Sequence, residues 1–152
     1  MTPLSPADWY HVGLIVPDLN QAITEMTAAG GYTWTKPVEA TLAVTTTGGD
    51  IDMPFRFVYS IEAPHLELIQ AVPGTIWSTP KDGAAHHLGY WVDDLPAAAV
   101  KLEAAGYRCE ARPAGPQLSA FAYYLSPTGV RIEIVDRALF PDWPGFLAAL
   151  TG

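Results

Sequence analysis

Two stretches of the chain carry the same chemistry at the same spacing. His11 lies in Tyr10-His11-Val12-Gly13, and His87 lies in His86-His87-Leu88-Gly89, 76 residues further on. Glu67 stands in Leu66-Glu67-Leu68-Ile69 and Glu133 in Ile132-Glu133-Ile134-Val135, each the only ionisable residue of its apolar run. An ionised carboxylate in such a run is costly to bury unless it is paired or bound to a cation. Two imidazoles and two carboxylates suit a borderline divalent ion such as Zn, Co, Ni, Mn or Fe. Four protein ligands would still leave room in the coordination shell for substrate oxygens.

The elements that must position these residues repeat as well. Val16-Pro17-Asp18-Leu19 falls on Val92-Asp93-Asp94-Leu95, and Ala28-Ala29-Gly30 falls on Ala104-Ala105-Gly106, all in one register. Two blocks in a single register indicate a duplication. In the first half, residues 10–16 alternate as a strand, Asp18 caps a helix with Leu19, Ala22, Ile23 and Met26 on one face, and Gly30-Gly31 stops it. Strands are predicted at about 38–46, 54–60 and 65–70. In the second half the strand with His87 leads to a helix capped by Asp94, carrying Leu95, Ala98, Ala99 and Leu102 and stopped by Gly106. Strands follow at about 107–112, 120–126 and 130–135, so each half reads βαβββ.

The chain therefore reads as a single domain over 1–152, with module one at about 9–70, a Pro/Gly-containing linker at 71–85 and module two at about 86–136. Phe140, Trp143, Phe146, Leu147 and Leu150 predict a C-terminal helix over about 140–150, packing on its own domain, with a pocket lid or a dimer contact as other roles. Strand alternation puts His11, Gly13 and Ile15 on one face, and His87, Gly89 and Trp91 on the equivalent one. If the two sheets face each other, the histidines and glutamates converge. A strand glycine two residues past each histidine fits close approach by a bound molecule.

Other side chains carry two readings each. His86 competes with His87 as a ligand, and the register with His11 favours His87. His65 shares the face of Glu67 and reads as a loop histidine or as a group supporting the site. Trp91, Phe55, Phe57, Tyr59, Phe121 and Tyr123 line an apolar pocket or pack in the core. Arg131 shares the face of Glu133, where it binds an anionic substrate group or neutralises the glutamates. Cys109, the one cysteine, reads as a small buried hydrophobe, since no second feature points to catalysis. No Ser-His-Asp or Cys-His set, phosphate loop or dinucleotide fingerprint is evident.

Composition narrows the partners. With 49% hydrophobic and 16% charged residues over 152 positions, the chain can bury a sizeable core. A formal net charge of -8 argues against nucleic acid and against an anionic membrane surface. One thiol cannot form an internal disulfide, so no oxidising compartment is implied. Neither a signal-peptide pattern nor an apolar run of bilayer length is present. The expectation is a cytoplasmic protein with a small-molecule substrate, no nucleic-acid or membrane partner, and a homodimeric assembly.

Taken together, Tyr10-His11-Val12-Gly13, Leu66-Glu67-Leu68-Ile69, His86-His87-Leu88-Gly89 with Val92-Asp93-Asp94-Leu95, and Pro127-Thr128-Gly129 leading to Ile132-Glu133 resemble the vicinal-oxygen-chelate superfamily. Its members include glyoxalase I, methylmalonyl-CoA epimerase, extradiol dioxygenases and bleomycin- and fosfomycin-resistance proteins, and the likeness is nearest the epimerase and glyoxalase-like branch. The resemblance implies an α+β fold of two tandem βαβββ modules forming an eight-stranded incomplete barrel around a metal site. It implies one divalent ion on His11, Glu67, His87 and Glu133. It also implies an isomerase or lyase acting on a small carbonyl compound through an enediolate-type intermediate. Glu133 first and Glu67 second would then move the proton, with Trp91, Phe57, Tyr59, Tyr123 and Arg131 around the substrate.

Two departures from the epimerase stand out. The strand after the first helix, Thr41 to Thr47, holds no carboxylate, with Glu39, Asp50 and Asp52 only at its edges. Eight Lys plus Arg are few for gripping a CoA phosphate tail. The alternatives are a metal-independent protein that sequesters an apolar metabolite or drug, and a ferrous ring-cleaving dioxygenase. Glu67, an acid beyond a two-His, one-Glu triad, argues against the latter.

Overall fold

The computed structural model describes residues 2–151. Two βαβββ runs are present. The first comprises β1 (Trp9–Val16), α1 (Leu19–Gly30), β2 (Val38–Thr46), β3 (Gly49–Tyr59) and β4 (His65–Gln70). The second comprises β5 (His87–Val92), α2 (Leu95–Ala104), β6 (Arg108–Pro113), β7 (Phe121–Leu125) and β8 (Arg131–Asp136), and α3 (Trp143–Thr151) follows. The class is mixed α+β, and the strands neighbour one another in the order β1-β4-β3-β2-β6-β7-β8-β5. No helix among the described residues is long and apolar enough to cross a membrane.

The helix ends follow from sequence chemistry. The Asp18 carboxylate accepts from the Gln21 amide and the Asp94 carboxylate from the Ala97 amide, both at 3.0 Å. Each bond satisfies a donor of the first turn that has no helical partner. Gly31 ends α1 with φ 70°, a left-handed conformation that costs a glycine little. The one large boundary difference is β3, which starts at Gly49 rather than near residue 54. Its first arm carries exposed Asp50 and Asp52 and a mid-strand Pro54. Such a composition reads as a loop, although the backbone is extended.

The chain divides into two compact units. One holds His11–Ala40, Pro54–His86 and the residues from Asp142 on. In it α1 covers the sheet through Leu19 and Ala22, packed with Val58 and Leu68 and flanked by Leu14, Val16, Ile23, Met26 and Trp34. Full burial of each such aliphatic side chain stabilises the fold by about 1.5–3 kcal/mol. This unit also contains α3: the Lys36 amide donates to the Leu150 carbonyl at 2.7 Å, and Trp143 lies against Tyr59. The C-terminal helix thus packs on residues of the first half of the sequence. Sequence distance hid the partner, because the apolar face of α3 matches a ring more than eighty residues upstream.

The other unit holds the segment up to Tyr10, the hairpin tip Thr41–Met53 and His87–Pro141. Here α2 packs Leu95, Ala98, Ala99 and Leu102 on Ala122, Tyr124, Ile132 and Ile134. The end of β2 pairs antiparallel with β6, Thr45 opposite Arg112. Arg137 ties this unit together through Asp8 at 2.7 Å and Asp93 at 2.8 Å, and those carboxylates hold its guanidinium charge more firmly than usual.

Candidate functional site

In the first unit, β1 and β4 run parallel with His11 opposite His65 and Gly13 opposite Glu67. The Glu67 carboxylate thus belongs to a strand position that faces a residue with no side chain. It lies 3.4 Å from His11 Nε2. Both groups are buried, His11 at 1% and Glu67 at 6% exposure. Tyr59 on β3 is the cross-strand neighbour of Glu67, and its ring meets that of His11 edge-on at 5.5 Å. Phe57 stands edge-on to Tyr59 at 5.8 Å.

In the second unit, the same arrangement is built from different residues. Parallel β5 and β8 set Gly89 opposite Glu133, and His87 Nε2 lies 3.3 Å from the Glu133 carboxylate. Both groups are again buried. Tyr123 on β7 is opposite Glu133, and its ring meets His87 edge-on at 5.0 Å. Phe121 is edge-on to Tyr123 at 5.8 Å. The duplication therefore extends past the donors to the aromatic residues behind them. Within each pair an imidazole and a carboxylate lie side by side, the usual material of a divalent-metal site.

The remaining candidates separate clearly. His86 Nε2 lies 2.7 Å from the Ile76 carbonyl, so its ring is engaged with the linker. His65 is the first residue of β4, with Nδ1 2.9 Å from the Ser60 carbonyl and its ring against Trp143. Phe55 packs on buried Trp77, a core contact. Trp91 is buried, stacked on Tyr10 with ring centroids 3.6 Å apart. It also borders a cleft of about 310 Å³ beside α2, with Leu4, Asp93 and Lys101. Cys109 is half-buried beside the α2 core, and burial pushes its thiol pKa up. Such a thiol is a poor nucleophile at neutral pH.

Arg131 forks onto Glu110, with Nε and Nη2 at 2.7 and 3.2 Å from the two carboxylate oxygens. It neutralises a glutamate, but one that sequence reasoning missed. Glu110 is buried on β6, where the pairing with β7 shifts between Cys109 and Ala111. A bulge of this kind re-aims a side chain, so simple alternation cannot assign its face. The acids at the edges of β2 are no substitute: Asp50 and Asp52 are exposed, and exposed Glu39 bonds Arg56 at 2.8 Å.

Comparison with known proteins agrees with this fold. A sequence profile of the glyoxalase/bleomycin resistance protein/dioxygenase superfamily matches residues 10–124, and the chain belongs to that superfamily. Curated protein sequences give no match. Among solved structures the chain is similar to methylmalonyl-CoA epimerase from Mycobacterium tuberculosis, at 22% identity and a TM-score of 0.57 over 90% of each chain. It is similar to a methylmalonyl-CoA epimerase in complex with methylmalonyl-CoA and NH4+, at 16% identity and a TM-score of 0.59 over 85% of this chain and 93% of that one. A triple mutant of 4-hydroxymandelate synthase from Streptomyces coelicolor matches at 19% identity and a TM-score of 0.57, over 90% of this chain and 39% of the larger one. At these identities the likeness is one of fold.

Proposed function

We propose that the protein is a divalent-metal-dependent isomerase or lyase acting on a small carbonyl compound, with one ion held by His11, Glu67, His87 and Glu133. The observation that carries this reading is the doubled pair: two buried imidazoles and two buried carboxylates, each pair built by the same strand register. Such a donor group could hold a metal ion. Two carboxylates offset the charge of a divalent cation, and imidazole nitrogen suits a borderline metal. A cation bound there would offset the desolvation cost of burying two carboxylates.

A bound ion would supply Lewis-acid stabilisation of negative charge on a substrate oxygen. The chain's own residues do the rest. Glu133 accepts the proton from the carbon beside the carbonyl, leaving an enediolate-type anion, and returns it to complete the isomerisation. Glu67 is the second candidate for the same step. Such general-base catalysis contributes about 10² to 10⁴-fold. Tyr59 and Tyr123 fix the two imidazoles, and Phe57 and Phe121 extend apolar walls that keep water from the anion. Arg131, oriented by Glu110, is positioned on the strand of Glu133 to meet an oxygen of the substrate.

The test is metal content. Purified protein should hold about one divalent ion per chain, and the His11→Ala, Glu133→Ala double variant should hold none. Full occupancy in that variant would remove the basis of the proposal.

A further inference from the structure

The helix α3 belongs to neither copy of the repeat and lies beyond the stretch that matches the superfamily profile. Its first residue nevertheless reaches the aromatic layer behind a metal-donor pair. Trp143 meets Tyr59 edge-on at 5.0 Å and 88°, and Tyr59 meets His11 edge-on at 5.5 Å and 85°. Tyr59 is also the cross-strand neighbour of Glu67, so one ring borders both members of the pair. Trp143 further contacts His65, the residue opposite His11, at 5.7 Å, and stacks with Phe146 at 5.5 Å.

The helix is capped at its start and tied to the first half of the sequence at its end. At its start, the Asp142 carboxylate accepts from the Gly145 amide at 3.1 Å. At its end, the Lys36 amide donates to the Leu150 carbonyl, while Thr35, one residue earlier, exchanges two bonds with the Tyr59 backbone at 3.0 Å. Residues 35–36 thus bind the Tyr59 strand to the last turn of α3. An aromatic edge against a ring face restricts both rings in orientation as well as in distance. A histidine ligand needs that restriction, because its lone pair must point at one place.

We propose that α3 sets the orientation of His11 through Trp143 and Tyr59, so that these two rings are positioning residues for the metal centre. The inference rests on the metal-binding reading above. It makes affinity at the first donor pair depend on a helix outside the repeat, which the repeat alone would not provide.

The test uses the full chain with Co²⁺ as probe, read by titration and by the absorption bands of the bound ion, with circular dichroism to confirm folding. Trp143→Ala should weaken Co²⁺ binding by about tenfold or more, the scale seen when a group supporting a ligand is lost, and should shift the Co²⁺ bands. Trp143→Phe, which restores an aromatic edge, should recover both. Trp143→Leu fills the site with apolar volume and keeps the question open to measurement where the alanine variant unfolds; it should still show the shifted bands. Phe140→Ala removes a ring that packs on Trp91 instead and should leave Co²⁺ affinity within about twofold. Wild-type affinity and bands in Trp143→Ala and Trp143→Leu, or equal weakening by Phe140→Ala, would overturn the inference alone. Failure of the wild type to bind Co²⁺ would instead overturn the metal reading beneath it.

Discussion

The two histidine–glutamate pairs are alike in separation, 3.4 and 3.3 Å, and in register, each glutamate facing a glycine across a parallel pairing. They differ in what surrounds them. Behind His11 and Tyr59 stands Trp143 of α3; beside Glu133, on the same strand, stands Arg131 forked onto Glu110. Features fixed by strand pairing survive the duplication almost unchanged. Features supplied by a bulge or by an element outside the repeat belong to one copy only. What the two copies share is a buried imidazole–carboxylate pair, material that could hold a metal ion, and what they do not share is the side chains around it.

The largest expected effect tests the likeness. If the pairs contribute equally, His11→Ala and His87→Ala should each weaken divalent-metal binding by more than the roughly 10- to 100-fold typical of a lost supporting group. Competition against a chelator would measure both. Affinity in the wild type should also fall as pH drops, because a protonated imidazole has no lone pair to offer a metal. A much larger loss for one histidine would show that the symmetry of the donors is only structural.

The next effect sharpens the difference. Glu67→Gln and Glu133→Gln each retain an oxygen for the metal but remove the base. With Arg131 on its strand, Glu133 is the expected proton carrier. Its glutamine variant should then lose about 10² to 10⁴-fold in turnover while Glu67→Gln loses less. Deuterium uptake at the carbon beside a substrate carbonyl, followed by mass spectrometry in D₂O, reads the step directly. Near-wild-type exchange in both variants would exclude both carboxylates as the base.

Much of this was legible in the chain. The 76-residue offset exposed the repeat, and period-two alternation placed His11 with Gly13 and His87 with Gly89 on the buried faces they occupy. Both caps and both helix faces followed from single residues whose chemistry is local. What escaped was non-local or irregular. Glu110 sits at a register shift that alternation does not encode. The partner of Trp143 lies in another half of the sequence, and no local pattern indicates which ring an amphipathic helix will meet. The early start of β3 was hidden by polar residues on an exposed hairpin arm.

The smallest expected effect concerns the caps, where the two copies use the same residue in different settings. Asp18→Ala and Asp94→Ala each remove one 3.0 Å bond to a first-turn amide, and each should cost about 1 kcal/mol. The neighbouring donors differ. In α1 the Leu19 amide donates to the Gln70 side chain at 2.9 Å, so a second cap bridges the helix to β4. In α2 the second position is Pro96, which has no amide hydrogen and a backbone angle already suited to a first turn. Gln70→Ala removes that bond and the one its amide donates to the Pro17 carbonyl at 2.8 Å, so it should cost a further increment on the order of 0.5–1.5 kcal/mol for each lost hydrogen bond. Urea midpoints for the four variants, Asp18→Ala, Asp94→Ala, Gln70→Ala and Asp18→Ala with Gln70→Ala, separate these contributions. If Gln70→Ala leaves the midpoint unchanged, its carboxamide does not support α1. The two helices would then be capped by one residue each, as the repeat alone implies.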